Sequence, residues 1–313
     1  MLSRRQMLQG LAFTAGGTLS LGSYAVAEPH SLIVKRYRIT PPRWPHGLQL
    51  RLALVADLHA CEPWMSLERI RSIVDRTNAL APDAVLLLGD YVAGYRMLRF
   101  SRPIAERDWA RALARLQAPL GAHAVLGNHD WWDDPHAQMT RRGPPIARRA
   151  LEDAGVPVYE NDAVRLFKNG HPFWLAGLGD QVAFTLRLTR RGTPPYKIDG
   201  AGVDDLAGTM AQITDDAPVI LMAHEPDIFP QVSDRVALTV CGHTHGGQVH
   251  FPGIAPYVPS RYGTRYLRGH IVEEGRHLIV STGLGCSGAP LRFGVPPEIV
   301  IVELGAWSAD ATS

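Results

Sequence analysis

The feature that most constrains the fold is a regular alternation of apolar runs with helical patterns in the first half of the chain. The apolar runs are residues 50–56, 84–88 and 122–126, and the continuous run at 84–88 is typical of a strand covered on both faces. The segments with apolar residues at helical spacing are residues 67–79, 104–116 and 144–154. Strands that alternate with helices favour parallel pairing through helical crossovers. We therefore predict an α/β fold.

The second half of the chain is richer in strands. Asn169-Gly170, between two apolar runs, predicts a hairpin with a type I′ turn, and Gly275 marks a second hairpin. The remaining expected elements are a first strand near an edge at 32–39, a helix at 203–213 and strands at 219–223, 236–240 and 298–304. The chain shows no internal repeat and no clean linker. One domain of two packed sheets flanked by helices fits this pattern best.

The first 27 residues contain the three parts of a twin-arginine export signal in the expected order. Ser3-Arg4-Arg5 opens it, a weakly apolar, glycine-rich stretch follows, and Ala25-Val26-Ala27 matches a small-residue cleavage site. A retained membrane anchor is the alternative, although the stretch is short and polar in places. We predict a signal peptide over residues 1–27, a single domain over residues 28–313 and export by the twin-arginine translocase. The expected location is the periplasm or the outer face of the bacterial cytoplasmic membrane.

The composition is that of an ordinary globular protein. Hydrophobic residues make up 46% of the 313 residues, charged residues 20%, and the net charge is +2. That charge suggests neither nucleic acid nor an acidic surface as a partner. The chain has three cysteines, so a fully paired disulfide set is excluded. Cys61 and Cys241 stand beside metal-binding residue types, but small buried residues are the more common reading of such cysteines.

Residue types that bind metals follow five of the predicted strands. His243 and His245 follow the strand at 236–240, and the glycines around them let the backbone turn sharply. Ligands of open α/β sheets bind beyond the carboxyl ends of the strands, so this placement indicates one common site. The candidate site residues are Asp57, His59, Asp90, Asn128, His129, His224, His243 and His245.

The mixture of ligand types indicates which metals to expect. Imidazoles, carboxylates and one amide suit borderline divalent ions such as Mn, Fe or Zn better than Ca or Mg. The set is too large for one tetrahedral zinc ion, whereas two ions that share a carboxylate would use all of it. Two ions roughly 3.5–4 Å apart stabilise in-line displacement at phosphorus. We therefore predict two divalent transition metal ions and a phosphate-ester substrate.

Five sequence blocks resemble those of the calcineurin-like metallophosphoesterases, in the same order and over about residues 50–247. The blocks are Asp57-x-His59, Gly89-Asp90, Gly127-Asn128-His129-Asp130, His224 and Gly242-His243-Thr244-His245. The segments 281–288 and 290–293 resemble the YkuE/YaeI-like branch of exported bacterial phosphoesterases. That branch is similar to hydrolases that cleave UDP-diacylglucosamine.

The resemblance implies a four-layer α/β/β/α sandwich, with two mixed sheets flanked by helices. It assigns Asp57, His59 and His245 to a first metal, Asn128, His224 and His243 to a second, and Asp90 to a bridge between them. It makes His129 a catalytic residue that faces the substrate and either steadies the phosphoryl oxygens or protonates the leaving oxygen. A metal-bridging hydroxide would attack a phosphodiester or pyrophosphate bond, with an envelope lipid or a nucleotide sugar as candidate substrates.

One position departs from the phosphoprotein phosphatases of this family. There, an Asp three residues after the bridging Asp orients the catalytic His, and here that position is Ala93. Either another group orients His129, or its role as a proton donor is weaker. Ala93 therefore argues against the first alternative, a phosphoprotein or phosphomonoester phosphatase. A second alternative is a non-catalytic, metal-stabilised binding protein of the cell envelope, but none of the ligands is missing.

The sequence gives only hints about substrate contacts. Arg292, between Pro290 and Gly294, is the arginine we expect to bind substrate phosphate. The Arg- and Tyr-rich segment 257–268 could form a substrate-side wall or a solvated loop. Trp131 and Trp132 could contact substrate or lie buried. The expected partners are a small or lipid-linked phosphate ester, the export machinery and, peripherally, the membrane or cell wall.

Overall fold

The computed structural model of this protein describes residues 22–186, 197–198, 201–251 and 254–306. Two large sheets dominate these residues. The first sheet contains β1 (Ile33–Ile39), β2 (Leu50–Val55), β4 (Ala84–Leu88), β6 (Ala122–Val125) and β15 (Glu298–Leu304). The second contains β7 (Asp162–Lys168), β8 (His171–Gly177), β11 (Val219–Met222), β12 (Val236–Cys241), β13 (Gly269–Glu273) and β14 (Arg276–Val280). Two short pairs complete the strands: β3 (Cys61–Glu62) with β5 (Arg102–Pro103), and β9 (Thr185–Leu186) with β10 (Lys197–Ile198).

Both sheets are mixed and contain parallel as well as antiparallel pairs. The first sheet has the order β1-β15-β2-β4-β6, and its β2–β4 and β4–β6 pairs are parallel while β15 runs antiparallel to β2. The second has the order β13-β14-β12-β11-β8-β7, with three parallel pairs between β14 and β8. The parallel strands of each sheet therefore end at a common edge.

Three apolar clusters show how the layers stack. Between the sheets, Leu54 and Leu86 of the first sheet pack with Ile220 and Val240 of the second. The other face of the first sheet packs against helices, and the other face of the second sheet packs against the segment 226–231 and the helix at 206–211. Each fully buried aliphatic side chain contributes roughly 1.5–3 kcal/mol. The predicted four-layer α/β/β/α sandwich is confirmed.

The helices are shorter than the sequence suggests, with one exception. They are α1 (Leu67–Ala79), α2 (Glu106–Leu113), α3 (Asn128–Trp132), α4 (Pro135–Thr140), α5 (Ile146–Asp153) and α6 (Leu206–Ala211). Helix α1 has the predicted bounds, and it begins after Ser66 because the Ser66 hydroxyl accepts a hydrogen bond from the backbone N–H of Arg69. Helix α6 begins three residues later than predicted, because the Asp205 carboxylate caps it through the N–H of Gly208. Helices α3 and α4 were not predicted.

Local turns agree with the sequence. Asn169 and Gly170 both have positive φ, as a type I′ turn between β7 and β8 requires. Glu274 and Gly275 form the turn of the second hairpin in the same left-handed region. Strand β1 lies at an edge of its sheet, as expected.

The N-terminal residues that the structure describes pack on the domain. Residues 22–27 are helical, the Tyr24 ring lies 5.2 Å from the Phe293 ring, and the Ala25 carbonyl accepts a hydrogen bond from the N–H of Arg292. The predicted twin-arginine motif lies outside the described residues, so the boundary after Ala27 stays a prediction. No helix among the described residues has the length and apolar character needed to cross a membrane.

Candidate metal centre and catalytic cavity

The strand ends bring seven of the predicted site residues together. Their ligand atoms form two groups, within each of which all atoms lie within 4.8 Å of one another. The inner group is Asp57, His59, Asp90 and His245, and the outer group is Asp90, His224 and His243. Asn128 joins the outer group, since its Oδ1 lies 2.8 Å from Nδ1 of His243. Asp90 belongs to both groups, as a bridging ligand must.

The backbone at these residues is strained. Five of the seven side chains stand on residues with positive φ, a region that costs a non-glycine residue about 1–2 kcal/mol. They are Asp57, His59, Asp90, His243 and His245. At Gly242 a Cβ atom would lie 2.6 Å from Asp57 Oδ2, so only glycine lets this turn approach the carboxylate. Packing from both sheets therefore holds the ligands in a geometry that the isolated chain would avoid.

Hydrogen bonds to carbonyl groups fix three of the histidine rings. His59 Nδ1 lies 3.0 Å from the Val92 carbonyl, His224 Nδ1 2.6 Å from that of Leu88, and His243 Nε2 2.8 Å from that of Pro259. A carbonyl can only accept, so each of these nitrogens carries the ring proton. The opposite nitrogen of each ring then presents its lone pair to the site, which is the usual orientation of a metal-ligating histidine.

The charges in the site fit divalent cations. Burial raises the pKa of Asp57 to about 7 and lowers the pKa of His59 to about 4. Burial also lowers the pKa of His243 and His245, so these imidazoles are neutral, the form that binds metals. His224 Nε2 is buried without a hydrogen-bond partner and lies 3.4 Å from Asp90 Oδ2. A cation between two such atoms would satisfy both, so the cluster is suited to hold divalent metal ions.

His224 shows the strength of the negative field. Burial alone would lower its pKa, but the Asp90 carboxylate, with help from Glu225 and Asp57, outweighs burial and raises the pKa well above the usual value. A field that stabilises a proton on an imidazole also stabilises a cation bound to it.

His129 lies beside the cluster and lines the cavity. Its Nδ1 lies 2.9 Å from Oδ2 of Asp133, and its backbone N–H donates to Asp90 Oδ1. Burial alone would lower the pKa of His129, but the Asp90 and Asp133 carboxylates raise it to about 9. His129 can therefore carry a proton at neutral pH. Asp133 was not among the predicted site residues, although a helix starting at residue 128 would have placed it four residues from His129 on the same face.

Arg292 does not occupy the expected position. Its side chain is fully buried, and its guanidinium donates to the carbonyls of Gly285, Val295 and Thr282. Its Nη2 also lies 3.3 Å from Nδ1 of His245. The expectation that Arg292 binds substrate is therefore corrected: this side chain organises the loops behind the inner group, since three carbonyl partners hold it away from the cavity.

A cavity of about 780 Å³ opens over the outer group and His129. From the segment 257–268 it is lined by Tyr257 and Arg261, and Trp132 also lines it, whereas Trp131 is buried. Tyr95 and Arg96 line the cavity too, although no sequence pattern marked them. The cavity therefore combines aromatic rings with two guanidinium groups, next to the metal-ligand types.

The cysteines take no part in the two ligand groups. Cys61, Cys241 and Cys286 are all free and buried. This agrees with the interpretation of cysteines as small buried residues.

Comparisons with known proteins identify the family. Residues 50–247, more than half of the chain, match the model of the calcineurin-like phosphoesterases. The chain is 29% identical over 311 residues to the metallophosphoesterase YkuE of Bacillus subtilis, which covers 97% of this chain and 98% of that protein. It is 28% identical to the phosphodiesterase YaeI of Escherichia coli, over 97% of this chain and 100% of YaeI. A metallophosphoesterase of Aquifex aeolicus is 28% identical, over 91% of this chain and 96% of that protein. The chain thus belongs to the calcineurin-like phosphoesterase family and is a metal-dependent hydrolase of phosphoric esters.

Proposed function

We propose that this protein is a binuclear phosphoesterase that hydrolyses a phosphodiester or pyrophosphate bond. Two divalent transition metal ions, Mn, Fe or Zn, would be held by the inner and outer groups. The observation that carries the proposal is the position of Asp90, whose carboxylate belongs to both groups. One shared carboxylate between two sets of imidazoles is the ligand chemistry of a two-metal site.

The residues have distinct tasks in this reaction. When bound, the cations polarise phosphoryl oxygens and bring the pKa of water close to neutral. Asp57, His59 and His245 would hold one ion and Asn128, His224 and His243 the other, with the ring orientations fixed by the carbonyls described above. His129, whose Nδ1 is held by Asp133, would stabilise the phosphoryl charge and donate a proton to the leaving oxygen.

The cavity supports a substrate larger than a simple monoester. Its volume of about 780 Å³ lies in the range of sites that enclose drug-sized molecules. Arg96 and Arg261 could bind a second anionic group, and Tyr257 and Trp132 a ring or sugar. The name of YaeI, a phosphodiesterase, points the same way. An envelope lipid or nucleotide sugar joined through a diester or pyrophosphate meets these requirements.

The proposed location rests on the N-terminal sequence. The twin-arginine motif at Arg4-Arg5 and the small residues at 25–27 support export by the twin-arginine translocase to the periplasmic side of the membrane. Peripheral association with the membrane or cell wall would bring the cavity to an envelope substrate. Replacing both arginines with lysine should trap the protein in the cytoplasm, and unchanged fractionation would refute this route.

A phosphoprotein phosphatase activity is not excluded by Ala93. That residue leaves no carboxylate at the usual orienting position, but Asp133 supplies one to His129. The preference for diesters and pyrophosphates therefore depends on the cavity and on the relatives. Phosphopeptides belong among the test substrates for that reason.

The deciding experiment combines metal analysis with three substrates. Protein purified without added metal should contain about two transition metal ions per chain by elemental analysis. It should hydrolyse bis-p-nitrophenyl phosphate faster than p-nitrophenyl phosphate or a phosphopeptide. Preference for the monoester or the peptide would replace the diesterase proposal, and absence of bound metal after loading would overturn the binuclear site.

A further inference from the structure

The imidazole of His129 is held by the carboxylate of Asp133. The Nδ1 to Oδ2 distance is 2.9 Å, and the two side chains are only 14% and 12% exposed. Both residues belong to one helical turn, since the Asp133 N–H donates to the His129 carbonyl at 3.1 Å. Helix α3 therefore places the carboxylate beside the ring without help from a distant segment. A bond this short and shielded is stronger than one at the surface.

The other carboxylates near His129 are engaged elsewhere. Both oxygens of Asp130 accept backbone N–H groups, from Gly127 and Asp90 on one oxygen and from Tyr91 and Val92 on the other. Asp90 Oδ1 accepts the backbone N–H of His129, and Oδ2 lies 3.5 Å from His59 Nε2 and 3.4 Å from His224 Nε2. Asp133 is accordingly the carboxylate that the structure assigns to the His129 ring.

Neither Ala93 nor Gly94 offers a polar side chain to the His129 ring. Ala93 ends in a methyl group, and the next residue, Gly94, lies directly against the His129 ring. A Cβ atom on Gly94 would lie 2.3 Å from Cε1 and 2.5 Å from Nδ1. The backbone therefore forms one wall of the ring's pocket, and the Trp132 ring, 5.2 Å away between centroids, packs against it from another direction.

We propose that Asp133 is the positioning residue of the proton donor, an inference that rests on the proposed function. The Asp133 carboxylate accepts a hydrogen bond from Nδ1–H of His129 and thereby fixes the ring so that Nε2–H faces the cavity. As the bond from phosphorus to the leaving oxygen breaks, Nε2 gives its proton to that oxygen. The ring keeps the Nδ1 proton that it donates to Asp133, and Nε2 takes a new proton from water after the leaving group departs.

The test is an Asp133→Asn variant with two esters that differ only in the leaving group. A phenolate needs protonation more than a p-nitrophenolate, so loss of an oriented donor should slow the phenyl ester ~30-fold or more. The p-nitrophenyl ester of the same phosphate should lose less than ~3-fold in kcat, and metal content should stay at the wild-type value. An exposed Asp153→Asn variant serves as the matched control and should behave as wild type. Equal losses on both esters, or loss of metal, would overturn the proposal.

A second measurement does not depend on turnover. Histidine side-chain NMR should show a proton on Nδ1 of His129, assigned by its disappearance in a His129→Asn variant. That signal should broaden or move in Asp133→Asn, since its acceptor has changed. An unchanged signal would refute the role of Asp133. Failure of the wild type on both esters would instead count against the proposed function, so the two failures are distinguishable.

Discussion

Two buried carboxylates, Glu303 within the first sheet and Asp57 just beyond the end of one of its strands, have opposite environments. Glu303 lies in a row across three strands, opposite Arg38 on one side and Arg51 on the other. The Glu303 carboxylate is 2.8 Å from Arg38 Nε and 3.1 Å from Arg51 Nη2. Burial alone would raise its pKa, but the two arginines lower it below the usual value. The chain thus supplies the positive charge for this carboxylate itself.

Asp57 follows strand β2 of the same sheet and has no such partner arrangement. Its oxygens accept the backbone N–H of His243, and burial raises its pKa to about 7. The guanidinium of Arg292, which lowers the pKa of Asp57 slightly, is directed to backbone carbonyls. Negative charge that a protein buries without neutralising it is costly unless a cation arrives from solution. Glu303 is therefore part of a structural ion pair, whereas Asp57 is suited to bind a cation.

The largest expected effect comes from the shared ligand. Asp90→Asn should remove both ions, because each group loses its bridging carboxylate, and kcat/KM should fall by ~10³-fold or more. Elemental analysis and diester hydrolysis measure the two quantities. Retention of two ions by this variant would show that Asp90 does not join the groups.

Removal of metal should destabilise the protein strongly. Ions that bind the folded state at a thousandfold excess over Kd add about 4 kcal/mol, so chelation should lower Tm by roughly 10 °C. Thermal melts with and without chelator measure this difference. Glu303→Gln should have a lower Tm than the wild type both with and without chelator. The decrease in Tm caused by chelation should be the same in both proteins, since the charge partners of Glu303 belong to the chain.

Removing the charge at Asp57 should stabilise the metal-free protein, whereas removing the metal ions destabilises it. The pKa of Asp57 is about 7 when folded and 3.8 when unfolded, so the stability that its protonated form contributes is present below pH 3.8 and is lost as pH rises to about 7. At pH ~8, Asp57→Asn should raise the free energy of unfolding by about 1–2 kcal/mol. The same variant should bind less metal. If the metal-free variant had a lower Tm than the metal-free wild type at this pH, the Asp57 charge would not be destabilising, and the comparison with Glu303 would fail.

The smallest effect is expected at Glu303. Glu303→Gln should lower the free energy of unfolding by about 1 kcal/mol at neutral pH, because part of the pair is exposed on Arg38. A lowered folded pKa gives stability that is complete above the unfolded pKa of 4.5 and is lost as pH falls below it. Denaturant titrations should show the wild type and variant converging at pH ~3. Diesterase activity should not change.

The sequence predicted the fold well where local patterns decide it. Helix α1 and the two hairpins follow from a cap and from turn residues that act over a few positions. The ligand residues could be placed at one edge because parallel strands share a polarity. The burial of Arg292 could not be predicted, since its partners are carbonyls of loops whose path depends on the complete fold. Helix α3 is too short to be predicted from the periodicity of apolar residues. The His129–Asp133 pair depends on that helix and was therefore not predicted.

The candidate ligand residues with positive φ come from segments far apart in the chain. Asp57 and His243 are separated by 186 positions, yet they meet at one hydrogen bond. Metal ions bound by residues at the ends of both β2 and β12 would therefore close a very long loop. Such a cross-link lowers the conformational entropy of the chain, as a disulfide does. In a protein whose three cysteines are free, the metal centre would serve as the cross-link that disulfides provide elsewhere.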